Sequence, residues 1–426
     1  MTAEGATTSS SAISLVKTII GAGLLSMPLA FSTDGIVVGF WIILLAGATS
    51  GYGLFLQAYV SRYVPAGHAT FFSLCSLTYP SLSVVFDLAI AVQCFGCAIS
   101  YLVLIGDLMP GTLGGITTTA TDSKTFWILL SAVVCVPLSF LRNLDSLKYT
   151  SVLGLLAIAY MALLVVGHYF IGDIPSTERG PVTLFPQSFA SIFSTFSIIV
   201  FAFTGHQNMF SIINESRNKS LSALSTLIVA AVTGSAALFI FVGLTGYLTF
   251  GQNVTGNVIL SYPSDLLSTV IGRLSIVFMV IFSFPLMLHP ARISVNNIYF
   301  WINQRYSNSN ERAPLLNNED DHESTLPTPT VVPLSNVTFV VITTTLLVVG
   351  YVIAITVESF ALVLAVVGAT GSTAISFILP GLFGYKLIGS ESSTPSATES
   401  TLKHLSLALS VWGVVVMIVC LYVSLS

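Results

Sequence analysis

Apolar runs long enough to cross a bilayer recur along the whole chain, at about 12–31, 36–60, 82–109, 126–141, 149–171, 187–212, 222–249, 266–288, 334–356, 360–386 and 405–425. In lipid, each backbone amide and carbonyl of such a run must find its partner inside the protein, so the runs have to be helices. The pattern predicts an all-α membrane protein of eleven spans, of which the fourth is short and contains Pro137. Charged residues make up 8% of the 426 and hydrophobic ones 54%, against roughly a quarter charged in soluble domains. A net charge of −4 offers nothing to nucleic acid.

Basic residues are retained on the cytoplasmic side of membranes. With the N-terminus inside, Arg62, Arg142, Lys148, Arg217, Lys219, Arg292, Arg305, Arg312, Lys386 and Lys403 all fall on cytoplasmic loops or helix ends. Only Lys124, Arg179 and Arg273 fall on the far side, and Lys17 lies within a helix. The expectation is therefore a cytoplasmic arm over 1–11, helices one to eight over 12–302, a linker over 303–333, and helices nine to eleven over 334–426, with Ser426 across the membrane from the N-terminus. The start of the chain has no basic n-region or small-residue cleavage site, so the first helix is expected to act as its own uncleaved signal.

Residues 303–333 are rich in Ser, Asn, Pro and acid, and read as a disordered cytoplasmic segment. Within them Glu311, Leu315 and Leu316 fit the acidic dileucine signal that adaptor complexes read to send cargo to lysosomes and vacuoles, a short pattern that also arises by chance. The stretch Gly389 to Thr401 is a second polar cytoplasmic connector. Asn253-Val254-Thr255 is a glycosylation sequon on the far side. The five cysteines show neither zinc nor disulfide spacing, and Cys94 and Cys97 read as packing thiols. No metal, cofactor or nucleophile–base constellation is expected, which argues against an enzyme.

Two spans are predicted to be discontinuous. The first, from Lys17 to Pro28, contains Gly21, Gly23 and a proline. Each glycine disfavours helix by roughly 1 kcal/mol against Ala, and leaves the backbone open to a ligand. Residues Gly21, Ala22, Gly23 and Leu24 thus read as an unwound midsection, with a packing notch for a neighbouring helix as the alternative. The sixth span is interrupted at Phe201, Ala202, Phe203, Thr204, Gly205 and His206, five helices later. Paired breaks in corresponding positions point to the binding site of a secondary transporter. They imply two inverted repeats of five helices plus an appended eleventh. Free N–H groups beyond Gly23 suit a carboxylate and free carbonyls near Phe203 suit an ammonium. Each helix end contributes about 0.3–2 kcal/mol to its charge, so a zwitterionic amino acid gains at both, where a sugar or nucleobase does not.

The segments Lys17 to Pro28, Ser50 to Phe55, Tyr101 to Asp107, Phe201 to Phe203, Pro290 to Arg292 and Gly368 to Thr373 resemble the amino acid/auxin permease family. Within it they are most similar to the exporting branch of the fungal vacuolar amino acid transporters of the AVT group. The resemblance covers nearly all the membrane part. It implies a LeuT-like fold, an amino acid substrate, no cofactor, and a vacuolar membrane. It also implies substrate contact at Tyr101, whose alternative is packing.

Sodium-coupled relatives look as though they carry Asn at the position of Lys17 and a hydroxyl at that of Ser283, whereas proton-coupled ones resemble this chain in carrying Lys. Two unit charges about 4 Å apart repel by roughly 4 kcal/mol at an effective dielectric of 20, so the Lys17 ammonium is expected to substitute for sodium. Its alternative is a helix-end Lys snorkelling to the surface. His206 is the expected proton carrier, because imidazole titrates between an acidic lumen and a neutral cytosol; the alternative is a ring that ties up stranded backbone groups. Asp87 and Asp107 read as caps or salt bridges, Glu358 as luminal surface, Arg273 with Asp265 as a gate or an interfacial pair, and Thr370 to Ser372 as a hinge. The function expected is proton-coupled amino acid transport from lumen to cytosol. The alternative is an amino acid receptor with little flux, which a cytosolic docking tail would favour.

Overall fold

A computed structural model of the chain describes residues 5–112, 121–142, 150–186, 188–310, 334–391 and 396–426. Among these the only extended pairing is one bridge between Ala6 and Ser216; the rest is helical or loop. In chain order the helices are α1 (Thr8–Ile19), α2 (Met27–Val60), α3 (Phe71–Thr78), α4 (Ser83–Leu108), α5 (Lys124–Ser139), α6 (Thr150–Ile171), α7 (Ser191–Ala202) and α8 (His206–Glu215). They continue as α9 (Leu221–Phe250), α10 (Leu267–Asn310), α11 (Asn336–Thr356), α12 (Phe360–Val367), α13 (Leu379–Leu387) and α14 (Ala397–Leu425).

Nine helical segments among the described residues are long and apolar enough to span a membrane, where the sequence predicts eleven. Two departures from ideal helix account for the difference. At the first, Gly35 (φ 73, ψ 167) kinks α2 so that the end of the first expected span and all of the second form one run, Ala22–Tyr63. At the second, Lys124–Ser139 is apolar but only 16 residues long, and it ends on Pro137 and a tight turn at Phe140. Before the expected linker, α10 continues past residue 302 to Asn310. Glu311, Leu315 and Leu316 lie outside the described residues.

Three layers of contact place the broken segments at the centre. α2 packs along α9 and against α7; α10 packs along α4 and α6; α12 lies between α4, α7 and α14, and α13 packs against α14 and α2. Between α12 and α13 the chain runs as two π-helical turns, Gly368–Ser372 and Ala374–Ile378, a widened form found at functional sites. The widening lets α4 approach. Ser372 donates to Gln93 Oε1 at 2.7 Å, and a side chain at Gly371 would meet the Gln93 backbone at 2.5 Å.

The Gly35 kink is fastened by the loop before α7. Ile36 N donates to Thr183 O (3.2 Å) and Val37 N to Leu184 O (3.0 Å), so the amides stranded by the kink are satisfied. A Cβ at Gly35 would lie 2.6 Å from Leu184 C and Phe185 N. Left-handed backbone costs a non-glycine residue about 1–2 kcal/mol before any clash. Gly35→Ala is therefore expected to lower the melting temperature of the purified protein clearly, while Gly167→Ala, where an added Cβ meets nothing within 4 Å, leaves it unchanged or higher. Equal melting temperatures would contradict the pinned kink.

A candidate substrate site between two broken helices

α1 is N-capped by the Thr7 hydroxyl, which accepts from Ser10 N at 3.2 Å, and it stops two residues after Lys17, at Ile19. The last helical bond is Ile20 N to Val16 O (2.7 Å). Ile20 (φ −80, ψ 84) and Gly21 (φ −116, ψ −149) then turn the backbone out of the helix. A short 3-10 turn, Ala22–Ser26, resumes it, with Leu24 N to Gly21 O at 3.2 Å as its first bond. The amides of Ala22 and Gly23 precede that bond and have no partner within the turn. A Cβ at Gly21 would meet nothing within 4 Å, so the backbone here faces open space.

The sixth span breaks in the opposite sense. α7 ends with Phe203 N to Ile199 O (3.0 Å) and Thr204 N to Phe201 O (3.1 Å), and the Thr204 hydroxyl donates back to Val200 O at 2.7 Å. The carbonyls of Ala202 and Phe203 therefore point past the end of the helix. α8 starts beyond Gly205, its first bond being Asn208 N to Gly205 O at 3.2 Å.

The two breaks touch. A Cβ on Gly23 would lie 2.6 Å from Ala202 Cβ and 2.8 Å from its Cα, so only glycine lets these backbones meet. The amide end of one half-helix and the carbonyl end of another thus share one place, with opposite partial charges. Ala22, Leu24, Ala202, Phe203 and Thr204 are buried around it, and Phe201 is 8% exposed. Phe203 packs edge-on against Phe239 of α9 at 5.0 Å.

His206 lies one residue beyond the second break and is completely buried. Its Nε2 is 3.1 Å from Ser50 O on α2 and its Nδ1 is 3.0 Å from the Ser376 hydroxyl. A carbonyl only accepts, so Nε2 carries hydrogen. The hydroxyl both donates and accepts, so Nδ1 keeps its partner with or without a proton. Gln57 Nε2 donates to His206 O at 3.2 Å, and a side chain on Gly53 would overlap the Ser376 carbonyl oxygen. The ring thus ties α8 to α2 and to the π-helical turns. Gln57, Gln93 and Ser376 carry no sequence signal beyond polarity inside apolar runs, and Ser50, within a segment already singled out, takes part only through its backbone carbonyl.

Lys17 is half-buried in the last turn of α1, and Ser283 half-buried on α10; neither side chain makes a hydrogen bond or ion pair among the described residues. α1 packs against α9 and α8. Tyr101 is partly buried on α4, packed against the core. Asp107 forms an ion pair with Lys124 at 2.8 Å, and Lys124 also donates to Val357 O and Glu358 O. Asp87 accepts from Asn297 at 3.1 Å. Arg273 and Asp265 do not pair: Arg273 is buried and donates to Tyr262 O at 3.4 Å, while Asp265 is exposed ahead of α10, two turns away. Asn253 is exposed, with its Nδ2 donating to Glu178 O at 3.1 Å. No cluster of three metal-ligating side chains occurs among the described residues.

Residues 4–426 match the family described as "Transmembrane amino acid transporter protein". Vacuolar amino acid transporter 6 of Saccharomyces cerevisiae is 42% identical, with 98% of each chain covered. Vacuolar amino acid transporter 7 of the same yeast is 39% identical over 97% of each chain. Vacuolar amino acid transporter 5 of Schizosaccharomyces pombe is 38% identical over 98% of this chain and 94% of its own. Among solved structures, MhsT in complex with L-phenylalanine superposes with a TM-score of 0.57 at 12% identity, covering 97% of this chain and 98% of that one. That likeness shows the fold, the LeuT type with two broken helices. The match along the whole sequence shows the lineage: the chain belongs to the transmembrane amino acid transporter family, a family of transporters rather than enzymes.

Proposed function

We propose that the chain is a secondary transporter that carries amino acids out of the lumen of a vacuole or lysosome-like organelle into the cytosol, driven by protons, by alternating access. The observation that carries this reading is the contact of Gly23 with Ala202, which sets unpaired amides of one half-helix beside unpaired carbonyls of another. Such a pair of ends recognises the carboxylate and ammonium common to all amino acids. Relatives named as vacuolar amino acid transporters support the substrate class and the compartment. The excess of basic residues on loops assigned to the cytosol supports an N-inside orientation. The Glu311, Leu315 and Leu316 motif would then face the adaptor complexes that sort cargo to this organelle.

Lys17 supports protons over sodium. An ammonium in the last turn of α1, with no carboxylate paired to it, is stabilised by the carbonyl end of that helix and repels a second cation. His206 supports the same reading, since the Ser376 hydroxyl reverses its hydrogen bond when the ring gains a proton.

Counterflow of a labelled amino acid in proteoliposomes tests this. Exchange is expected to be stimulated by unlabelled amino acid across the membrane, accelerated by acid on the luminal side, and indifferent to sodium. Exchange that requires sodium and ignores pH would overturn the coupling, and binding without flux would favour the receptor. In the same assay Gly23→Ala is expected to reduce exchange about tenfold or more, because overpacking of this kind costs about 1–3 kcal/mol. Gly234→Ala, with nothing within 4 Å of the added Cβ, serves as the control. Wild-type exchange by a folded Gly23→Ala protein would remove the site from the contact of the two breaks.

A further inference from the structure

Asp34, one residue before the Gly35 kink, has no part in the site described above, yet it is completely buried. Its hydrogen-bond partner is Thr195 on α7, whose Oγ1 lies 2.8 Å from Oδ1 and 2.9 Å from Oδ2. The same hydroxyl oxygen is 3.0 Å from Ile192 O. No Lys, Arg or His pairs with Asp34 among the described residues.

One hydroxyl has one proton, and that decides which form of the acid fits. If Asp34 is ionised, Thr195 must spend its proton on the carboxylate, leaving a whole buried charge with a single donor; buried charges otherwise require pairing and several hydrogen bonds. If Asp34 is protonated, its O–H donates to Thr195 Oγ1 and Thr195 donates onward to Ile192 O. Both hydroxyls are then satisfied and no charge is buried. Among the described residues the elements around this end of α2 pair no cation with it; Arg179, on the loop before α7, is exposed and donates to Ile174 O at 3.0 Å. α7 presents Thr195, and the loop before it presents the Leu184 and Phe185 backbone against Gly35. α9 presents Tyr247, whose hydroxyl is engaged by Thr183 N at 2.8 Å and Thr183 Oγ1 at 3.3 Å. The turn Gly251–Asn253, also against α2, carries no charged residue.

We propose that Asp34 is a proton-binding site at the luminal end of the transporter, and that this end closes onto Thr195 only when Asp34 is protonated. The inference rests on the proton-driven, N-inside reading given above, which places residue 34 on the luminal side. With that end open, the carboxyl meets water and exchanges its proton with the lumen. An acidic lumen neutralises it and permits closure, and an alkaline lumen leaves a charge that closure would have to bury.

The test is amino acid exchange by the full-length protein in oriented proteoliposomes, measured against luminal pH for the wild type, Asp34→Asn, Thr195→Val and Thr195→Ser. Wild-type exchange is expected to fall as luminal pH rises, by at most about tenfold per pH unit for one proton. Asp34→Asn carries a permanently neutral amide that can donate to Thr195, and is expected to fall less steeply with rising luminal pH than the wild type, because only the coupling proton then remains. Thr195→Val, which leaves the acid without its partner, is expected to shift the midpoint of the profile, and Thr195→Ser to restore it. An Asp34→Asn protein with the wild-type pH profile overturns the role of Asp34 alone. If that variant does not fold, a folded Thr195→Val with an unshifted midpoint overturns it equally. A wild type whose exchange ignores pH refutes the proton-driven reading itself, and this inference with it.

Discussion

A bilayer offers no hydrogen bonds, so backbone that leaves helical geometry inside it must be enclosed by protein or answered by a ligand. The structure depends on where it meets that constraint twice, at Ile20 to Gly23 and at Ala202 to Gly205. Each break alone would strand polar groups. Side by side, with Gly23 pressed on Ala202, they form a dipolar seat whose two ends match the two charges of an amino acid. In the proposed reading the backbone holds what all amino acids share, and the buried rings of Phe201 and Phe203 beside it meet the side chain.

The surroundings keep this seat from collapsing into ordinary helix. His206 holds the second break by bonding at once to α2, through Ser50 O, and to the widened turns before α13, through Ser376. Gly53 permits that approach because any side chain there would occupy the space of the Ser376 carbonyl. At the other end of the first span, Gly35 and the loop over 183–185 fasten the kink beside Asp34 and Thr195. The two ends therefore differ in chemistry. One is tied by a ring both of whose nitrogens are engaged, and the other closes over an acid with a single hydroxyl.

Much of the fold is legible in the sequence because lipid enforces a strong signal: a long apolar run can only be a helix, and paired glycine and polar interruptions five spans apart mark where two helices give way. The breaks at Gly21–Gly23 and Phe203–Gly205 fall where those interruptions stand. Cross-span contacts are less legible, since they depend on which helices become neighbours. Gln93 and Ser372 are 279 residues apart and meet at 2.7 Å, and no local pattern announces it. Asp34 is illegible for a different reason: an Asp-Gly pair between two apolar runs ordinarily forms an exposed turn, whereas the loop before α7 bonds across the kink and buries the acid. Arg273 and Asp265 look paired in sequence, but two helical turns and opposite exposure keep them apart.

Whether the broken backbone itself binds the solute is tested most directly by a cryo-electron microscopy structure of the protein saturated with a transported amino acid. Density for the ligand carboxylate is expected at the amides of Ala22 and Gly23, and for its ammonium at the carbonyls of Ala202 and Phe203. Ligand density elsewhere, or helices that run unbroken through residues 20–23 and 202–205 when the ligand is bound, would contradict it.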